Sequence, residues 1–482
     1  MVSLERLFCG SVLACCLVLG GICCSCASLG DPGEARRGHI SDFSEELQSR
    51  SGWLDEPRDL SACLSFALEN NYSLRLSALE RRLSELDVDS SFAEFLPKVS
   101  LSGGWTGWRH QQTMRGVATA DKESWSGKLG VEMPLVAPAT WLLYANRRLD
   151  RQSKTLSEYL ARQEIVSQVT TLYYQALLCE IRISVLESQV ASTKSQYERV
   201  SSLFEEGQVL SWECTNAQAQ WRSRELSLDE ARRELAVVRG QLLESLGLSP
   251  LEASRLRLVY PTEPREATQE ALQDRVLRAL THRPELSLRD RQVVESENQV
   301  RMALVNFLPT VGGFLNGTWT SDDIADRATN LYGGVSAAMD LFRGGEKIAS
   351  YRSAKVGREA ARLQREELSL SVMLEVISAD RDLQDADSQR ALAQLNYDAA
   401  QARYKDFLSR FEEGVEPLYK MLDARAQMDD AHLALVQTAF VKDIALVRLE
   451  LATGDLTPSD EHWTPEDQEH PMKEKLSELL VR

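Results

Sequence analysis

The side chains that most often perform chemistry in proteins do not converge in this sequence. The chain has 482 residues and six histidines, which are scattered singly along its length. We find no spacing typical of metal ligands, no nucleophile elbow and no phosphate-binding loop, and Gly344-Gly345 alone is only a turn signal. Catalysis requires groups that meet in one pocket with matched pKa values. The sequence therefore predicts a protein that is not an enzyme and that needs no metal or cofactor.

The cysteines indicate export instead. Six of the nine lie within residues 1–26, in an apolar stretch preceded by Arg6. A positive residue, an apolar run and then small residues are typical of a secretory signal, and we interpret residues 1–26 in this way. Cys26 is predicted to be a lipidated N-terminus, as in bacterial lipoproteins, and ordinary cleavage after Ala27 is the alternative. Residues 27–56, rich in Gly, Ser and charge, are expected to be a tether.

Composition narrows the class of protein further. The chain is 43% hydrophobic and 26% charged, with a formal net charge of −17. A nucleic-acid partner is not expected, because a phosphate-binding surface needs an excess of Lys and Arg. Beyond the signal, no unbroken apolar run approaches the roughly 18 residues of a membrane-spanning helix. Only Cys63, Cys179 and Cys214 lie beyond the signal, so the chain is not a disulfide scaffold.

The sequence contains an internal repeat, and the elements of this repeat must position any functional residues. Three short segments recur in the same order, at a nearly constant shift. They are Ala67-Leu68-Glu69-Asn70-Asn71-Tyr72-Ser73-Leu74 with Ala279-Leu280-Thr281-His282-Arg283-Pro284-Glu285-Leu286, Leu96-Pro97-Lys98-Val99 with Leu308-Pro309-Thr310-Val311, and Phe204-Glu205-Glu206-Gly207 with Phe411-Glu412-Glu413-Gly414. We interpret residues 57–250 and 268–455 as two copies of one structural unit.

Each copy is predicted to begin with a helix of about 35 residues, which ends before a proline because proline lacks a backbone donor. Two strands with a clean alternation of apolar and polar residues follow. The helices lie near 58–95 and 270–307, and the alternation runs over 99–107, 125–135, 311–319 and 331–341. Period two over about ten residues is typical of a strand with one apolar and one polar face, and that length suits a tilted strand crossing a bilayer.

Aromatic residues lie near the loop-side ends of these strands. They are Trp105, Trp108, Trp125, Trp319 and Tyr332. Transmembrane barrels carry aromatic girdles where their apolar band meets the membrane interface, and we predict that these five residues form such a girdle. The alternative is a small soluble sheet with its apolar face on a core. We disfavour it because the neighbouring helices show no surplus apolar face that could cover the sheet.

Two long helices are predicted after each pair of strands, at about 140–205 and 209–246 and at 345–412 and 416–453. Apolar residues on them step by four and three, as in a coiled-coil seam. The seam comprises Ile165, Val169, Leu172, Ala176, Cys179, Ile183, Leu186 and Val190, then Val372, Val376, Ala379, Leu383 and Ala386, and then Met421, Ala424, Met428, Ala431 and Leu435. A helix of about 65 residues is roughly 100 Å long, so these helices must stand as rods. Gly207 and Gly414 are predicted to form tight tips between the paired rods, since Gly permits a positive φ.

Neither the strands nor the rods are complete in one chain. A four-stranded sheet with an apolar outer face cannot cross a membrane alone, because its edges would leave backbone groups unpaired in lipid. Three copies would close the strands into a twelve-stranded barrel, and the rods would find neighbours for their seams. The predicted fold class is mainly α with β, a tandem repeat of helix, β-hairpin and long helical hairpin that forms a β-barrel plus an α-helical barrel as a trimer.

In this order the elements resemble the TolC-type outer membrane efflux protein family, over residues 57–455. Leu341-Phe342-Arg343-Gly344-Gly345 matches the family's motif where the second hairpin re-enters a helix, and the first copy departs from it at Leu135-Val136-Ala137-Pro138-Ala139. The resemblance implies an outer-membrane channel, the exit duct of a tripartite efflux or type I secretion system, with a periplasmic helical tunnel. The implied partners are a homotrimer, a periplasmic adaptor protein, an inner-membrane transporter of the RND, ABC or MFS type, and outer-membrane lipid.

The resemblance also implies a gate at the two helix tips, which in the family meet the adaptor. Asp423 falls where family members place an acidic constriction residue, and Asn216 is its counterpart in the first copy. Glu416 and Lys420 precede Asp423 in an acidic-then-basic order, the reverse of the order common in the family. An ion pair between helices could survive that exchange.

Residues 251–267, which link the copies, and the acidic C-terminal tail 456–482 are implied by the resemblance to belong to a belt around the helical tunnel. The alternative for the whole chain is a periplasmic coiled-coil adaptor protein of a transporter, which shares the export signal and the long helical hairpins. Adaptors, however, carry one hairpin in a β-rich domain, and this chain repeats a helix–strand unit in tandem.

Overall fold

The computed structural model describes residues 32–110, 112–114, 117–260, 270–324, 327–416 and 418–456. The predicted signal with Cys26, part of the linker (261–267) and the tail beyond residue 456 lie outside the described residues. Before the first repeat, α1 covers Pro32–Ser51 and a 3-10 helix covers Gly52–Asp55. The segment 27–56, predicted to be a tether, is helical over most of its described part.

The two repeats contain the same elements in the same order, except for one additional small hairpin in the first. The first repeat consists of α2 (Leu60–Asn70), α3 (Tyr72–Ala93), β1 (Lys98–Gly107), β2 (Gln112–Met114), β3 (Val117–Ala120), β4 (Glu123–Val136), α4 (Pro138–Glu205) and α5 (Ser211–Ser245). The second consists of α6 (Leu272–His282), α7 (Pro284–Val305), β5 (Thr310–Thr320), β6 (Thr329–Ala338), α8 (Glu346–Glu412) and α9 (Leu418–Thr453). The small hairpin of β2 and β3 was not predicted.

The prediction of one helix at the start of each repeat was wrong, because each is two helices. The break between α2 and α3 falls at Asn71, whose backbone is extended and whose side chain accepts hydrogen bonds from the amides of Ser73 and Leu74. Asn71 Nδ2 also donates to the carbonyl of Ser245 at 2.7 Å, which fixes the break against the end of α5. In the second repeat the break precedes Pro284, the first residue of α7. Proline suits that position because the first helical amide needs no partner.

The four long strands form one antiparallel sheet in the order β1-β4-β5-β6. Val99 pairs with Val131, Val131 pairs with Leu315, and Leu315 pairs with Gly333, so one register runs across both hairpins. The strand predictions are confirmed, although β6 ends at Ala338 and not at residue 341. The sheet has two edge strands, β1 and β6.

The long helices and their seam are confirmed, with α4 and α8 containing 68 and 67 residues. Equivalent positions of the two repeats are buried alike. Val169 and Val376 are both 0% exposed, and Ala176 and Leu383 are 0% and 4% exposed. In the part of the chain that the structure covers, no helix is both long enough and apolar enough to span a membrane.

The helices form a single layer. Near the sheet the order is α3, α4, α7 and α8, and towards the tips it is α5, α4, α9 and α8. The largest apolar core lies at mid-height, where α2, α4, the end of α5 and the linker meet around Leu177 and Leu242. The linker returns to this core, since Val259 N donates to the carbonyl of Arg58 at 2.9 Å. The layer thus has two open sides, one formed by α3 and α5 and the other by α8.

Candidate functional site: a two-faced sheet and two helix tips

One face of the sheet is apolar and open to the surroundings. Its residues are Val99, Leu101, Trp105, Trp125, Leu129, Val131, Met133, Val311, Leu315, Trp319, Leu331, Val335 and Ala337, as the register places them. Leu101 is 82% exposed and Leu331 is 71% exposed. An exposed apolar patch of this extent marks a surface that contacts a membrane or another protein. The alternative prediction was a soluble sheet with its apolar face packed on a core. In a single copy this face is exposed, and no core of the described residues covers it.

Glycines on this face alternate with large residues across the strands. Gly317 on β5 lies between Leu129 on β4 and Leu331 on β6, and Gly313 lies between Met133 and Val335. Large side chains can spread over the neighbouring glycine, which keeps the face smooth. The register shifts between Pro134 and Val136, where one extra residue bends β4 as it enters α4.

Three of the five predicted girdle residues share the apolar face at its loop end. Trp105 pairs directly with Trp125, and Trp319 pairs with Gly127, two residues further along β4. Trp108 follows the last residue of β1, and its amide donates to the carbonyl of Lys122 at 2.7 Å. All four are between 39% and 55% exposed. This arrangement fits an interfacial girdle, which stays a prediction.

The assignment of Tyr332 to that girdle needs correction. Tyr332 pairs with Asn316, Asn316 pairs with Gly130, and Gly130 pairs with Ser100. This row belongs to the opposite, polar face of the sheet, because side chains alternate along a strand. Its position near the loop end was right, but its parity along β6 places it on the other side from Trp319.

The polar face carries mostly small and hydrophilic side chains. They include Lys98, Ser100, Ser102, Thr106, Ser126, Lys128, Glu132, Asn316, Thr318, Asn330 and Ser336. Phe314 is the exception that sequence reasoning missed, and its ring lies 6.3 Å from that of Tyr332. The sequence could have predicted this position, because Phe314 is separated from Asn316 and Thr318 by an even number of residues along the strand and so lies on the same face.

The two helix tips have the same backbone geometry. Gly207 has φ +74° and Gly414 has φ +73°, which confirms the predicted positive φ. The amide following each glycine donates to a carbonyl five residues earlier, from Gln208 to Leu203 and from Val415 to Arg410, both at 2.8 Å. This is the Schellman pattern, which closes a helix and turns the chain sharply.

The predicted gate residues lie at matching places beyond the tips. Asn216 is the sixth residue of α5 and Asp423 the sixth of α9, and both are exposed. Lys420 Nζ donates to Glu416 Oε2 at 2.8 Å, so this pair is local and does not join two helices within one copy. Gln427 Nε2 donates to Asp423 Oδ2 at 2.9 Å. Arg403 Nη1 on α8 in turn donates to Gln427 Oε1 at 2.8 Å, which links Asp423 to the neighbouring helix.

A polar link between the two helical hairpins was not predicted. Gln189 Nε2 on α4 donates to Asp430 Oδ1 on α9 at 2.6 Å, and Ser188 Oγ donates to Asp429 Oδ2 at 3.4 Å. Gln189 is 5% exposed, and its Oε1 has no hydrogen-bond partner. These contacts fasten the second hairpin to the first between the core and the tips.

The expectation that the helices carry no surplus apolar face was wrong. On α3 the leucines at 76, 79, 83 and 86 step by three and four and are 57% to 62% exposed. On α8 a stripe of Val356, Leu363, Leu370 and Leu374 is 60% to 69% exposed and lies opposite the buried seam. The α3 leucines and the α8 stripe lie on the two open sides of the layer, so they cannot cover the sheet.

No group of three or more His, Cys, Asp and Glu side chains that could bind a metal ion occurs in the portion of the chain described. Cys63 and Cys179 are buried and Cys214 is half-buried, and all three are free thiols. Burial raises the pKa of the Cys63 thiol to about 12, so this cysteine is inert.

Comparison with known proteins gives consistent results. The family model of the outer membrane efflux proteins matches residues 63–248 and 276–455, one segment for each repeat. The structure resembles the CmeC outer membrane channel of Campylobacter jejuni with a TM-score of 0.72 and 17% identity, over 83% of this chain and 87% of that one. It also resembles the outer membrane protein VceC of Vibrio cholerae (TM-score 0.65, 16% identity, 82% and 96% covered).

A third similar structure is the MtrE outer membrane channel of Neisseria gonorrhoeae in its open state (TM-score 0.66, 16% identity, 83% and 91% covered). No curated protein sequence matches the chain. At these identities the structural likeness establishes the fold, whereas the family model covers most of the sequence. The chain belongs to the outer membrane efflux protein family, the TolC-type channels.

Proposed function

We propose that three copies of this chain form a passive exit duct in the outer membrane of a bacterium. The apolar face of the sheet would contact lipid in a twelve-stranded barrel, and the polar face would line the lumen. The rods would form a tunnel through the periplasm. This is the function of a conduit, in which the protein supplies a wet path and performs no catalysis.

One observation carries the proposal, namely that each open side of the chain pairs an unpaired strand with an exposed apolar stripe. On one side β1 follows α3 with its exposed leucines. On the other side β6 precedes α8 with its exposed stripe. The two sides differ, so copies must associate head to tail, and such contacts close into a ring when the rotation fits. Closure also pairs the edge strands, which a bilayer demands.

Family membership supports the partners that we propose. The tips around Gly207 and Gly414 would form the periplasmic end and meet a periplasmic adaptor protein, which connects to an inner-membrane transporter of a tripartite efflux or type I secretion system. Asp423 would narrow that end as the acidic gate residue. Cys26 would carry the lipid that adds an anchor to the barrel. The alternative of an adaptor protein has no support in the tandem family match.

Native mass spectrometry of the detergent-solubilised protein tests assembly. We expect a species of three copies, and a protein that stays monomeric at every concentration overturns the proposal. Leu370→Glu combined with Leu374→Glu places two charges on the exposed stripe of α8 and should abolish the three-copy species. Gln364→Glu, an exposed position on the flank of the same helix, is the matched control and should assemble normally.

Membrane extraction then separates a duct from a peripheral protein. Alkaline carbonate should leave the assembled protein in the outer-membrane pellet, because a closed barrel is held by buried apolar surface that pH does not alter. A periplasmic adaptor would be released more easily.

A further inference from the structure

Two aromatic rings stand together on the polar face of the sheet. Phe314 on β5 and Tyr332 on β6 have ring centroids 6.3 Å apart and ring planes inclined at 71°. In an edge-to-face pair, the partner covers neither face of the ring that offers its edge. The same face otherwise presents Ser, Thr, Asn, Lys, Glu and Gly, so the pair is an isolated aromatic corner.

The surrounding residues hold the corner in place. The ring of Phe314 lies over Gly334, whose missing Cβ would come within 3.2 Å of Cζ of that ring. Any larger residue there would displace the ring. Tyr332 is 46% exposed, so its ring is open to whatever occupies this side of the sheet. A fixed ring and an accessible ring therefore stand side by side.

A buried amide lies beside the corner. Asn316, the cross-strand partner of Tyr332, is 5% exposed, and its Oδ1 has no hydrogen-bond partner. It is the only side-chain atom of the described strands that is buried without a partner. Such an atom loses free energy relative to hydration. The Oδ1 atom leans over Gly130 on β4, 3.1 Å from where a Cβ of that residue would stand, so the row beside the corner carries no bulky side chain.

We propose that Phe314 and Tyr332 form a binding site in the lumen for planar aromatic solutes. The solute would stack on one ring, meet the edge of the other and lie across the row of Asn316 and Gly130. The inference rests on the proposed function, because that function makes the polar face the wall of the duct. Ring contacts are weak individually, so the solute is retained briefly and released, as conduction requires.

Single-channel recording in planar bilayers tests the site, with 9-aminoacridine added on the barrel side as the probe. The wild-type channel should show a concentration-dependent block. The double variant F314L/Y332L keeps apolar bulk but loses both rings, and its half-blocking concentration should rise about tenfold or more. Tyr332→Phe retains the ring and should stay within about twofold of wild type. Ser102→Ala, on β1 of the same face, should do likewise.

A saturated amine of similar size, 1-adamantylamine, controls for charge and should block wild type and F314L/Y332L equally. Equal block of these two proteins by 9-aminoacridine overturns the site, and so does a conducting wild-type channel that the dye does not block. Failure of the wild-type protein to conduct at all overturns the duct itself, and the lumen site with it. The two failures are thus distinguishable.

Discussion

A buried ion pair joins α6 to α8 in the second repeat, whereas the first repeat has uncharged side chains at the equivalent positions. Arg275 Nη1 contacts Asp380 Oδ1, and the two side chains are 11% and 8% exposed. Asp380 also accepts from Gln384 Nε2 at 2.8 Å. At the equivalent positions the first repeat has Cys63 and Tyr173, which are 0% and 1% exposed and share one core cluster. The fold therefore accepts either pair at this contact.

This equivalence predicts a specific pattern of stability. Arg275→Met leaves the Asp380 carboxylate buried opposite an apolar side chain. Removing one partner of a buried pair costs about 3–5 kcal/mol, because the remaining charge is not compensated. Gln384 still donates to Asp380, so we expect the lower end, about 3 kcal/mol. The double variant R275M/D380L removes both charges and recreates an apolar contact, which is often nearly neutral.

Hydrogen exchange of the amides of Leu272–His282 measures this contact, because α6 packs on α8 and on α9. A loss of about 3 kcal/mol corresponds to exchange faster by more than about a hundredfold, since each 1.4 kcal/mol is a factor of ten. R275M/D380L should stay within about tenfold of wild type. Protection unchanged in Arg275→Met would refute the reasoning, as would a double variant that exchanges as fast as the single one.

Three further predictions concern the tip, the thiols and the N-terminus. Asp423→Ala should raise single-channel conductance, because a charge is removed from the proposed constriction. Asn216→Ala at the matching place should have the smaller effect. Unchanged conductance in Asp423→Ala would show that Asp423 is not a gate residue. At pH 8 a maleimide should label Cys214 and spare Cys63. Burial raises the Cys63 pKa from 9.0 to about 12. The contribution of the buried neutral thiol to folding stability is therefore complete below pH 9 and is lost as the pH rises towards 12. Labelling of Cys63 in the folded protein at pH 8 would contradict this prediction. Cys26→Ala should abolish palmitate incorporation in a producing bacterium, and continued incorporation would move the lipid elsewhere.

Patterns of strict period made much of the fold predictable. Alternation over β1, β4, β5 and β6 fixed both faces of the sheet, because side chains of a strand point to opposite sides. The heptad steps on α4 and α8 identified residues that are buried in the structure, such as Val169 and Val376. The two tips followed from glycine, since few other residues adopt a positive φ readily.

Features without a strict period were missed. The break at Asn71 depends on a side chain that caps one helix and bonds to the end of another, Ser245, which is distant in sequence. Helix α1 has no amphipathic pattern, but Glu46 forms ion pairs with Arg50 and Arg75, and Arg75 lies on α3. Such contacts appear only when both partners are placed.

The outward stripes were missed for a different reason. Val356, Leu363 and Leu370 recur every seven residues, so the pattern was present in the sequence. A helix with two apolar seams on opposite sides must have neighbours on both, and one chain provides only one of them. Within a single chain the second seam has no partner helix among the described residues. In a ring of copies, the neighbouring copy would supply one.

Reconstitution of the full-length protein in planar bilayers tests most directly whether copies of this chain enclose a pore. Fractions containing the three-copy species should give discrete current steps of one uniform size, and monomer fractions should give none. Assembled protein that inserts into the bilayer without any current step would contradict the closed duct.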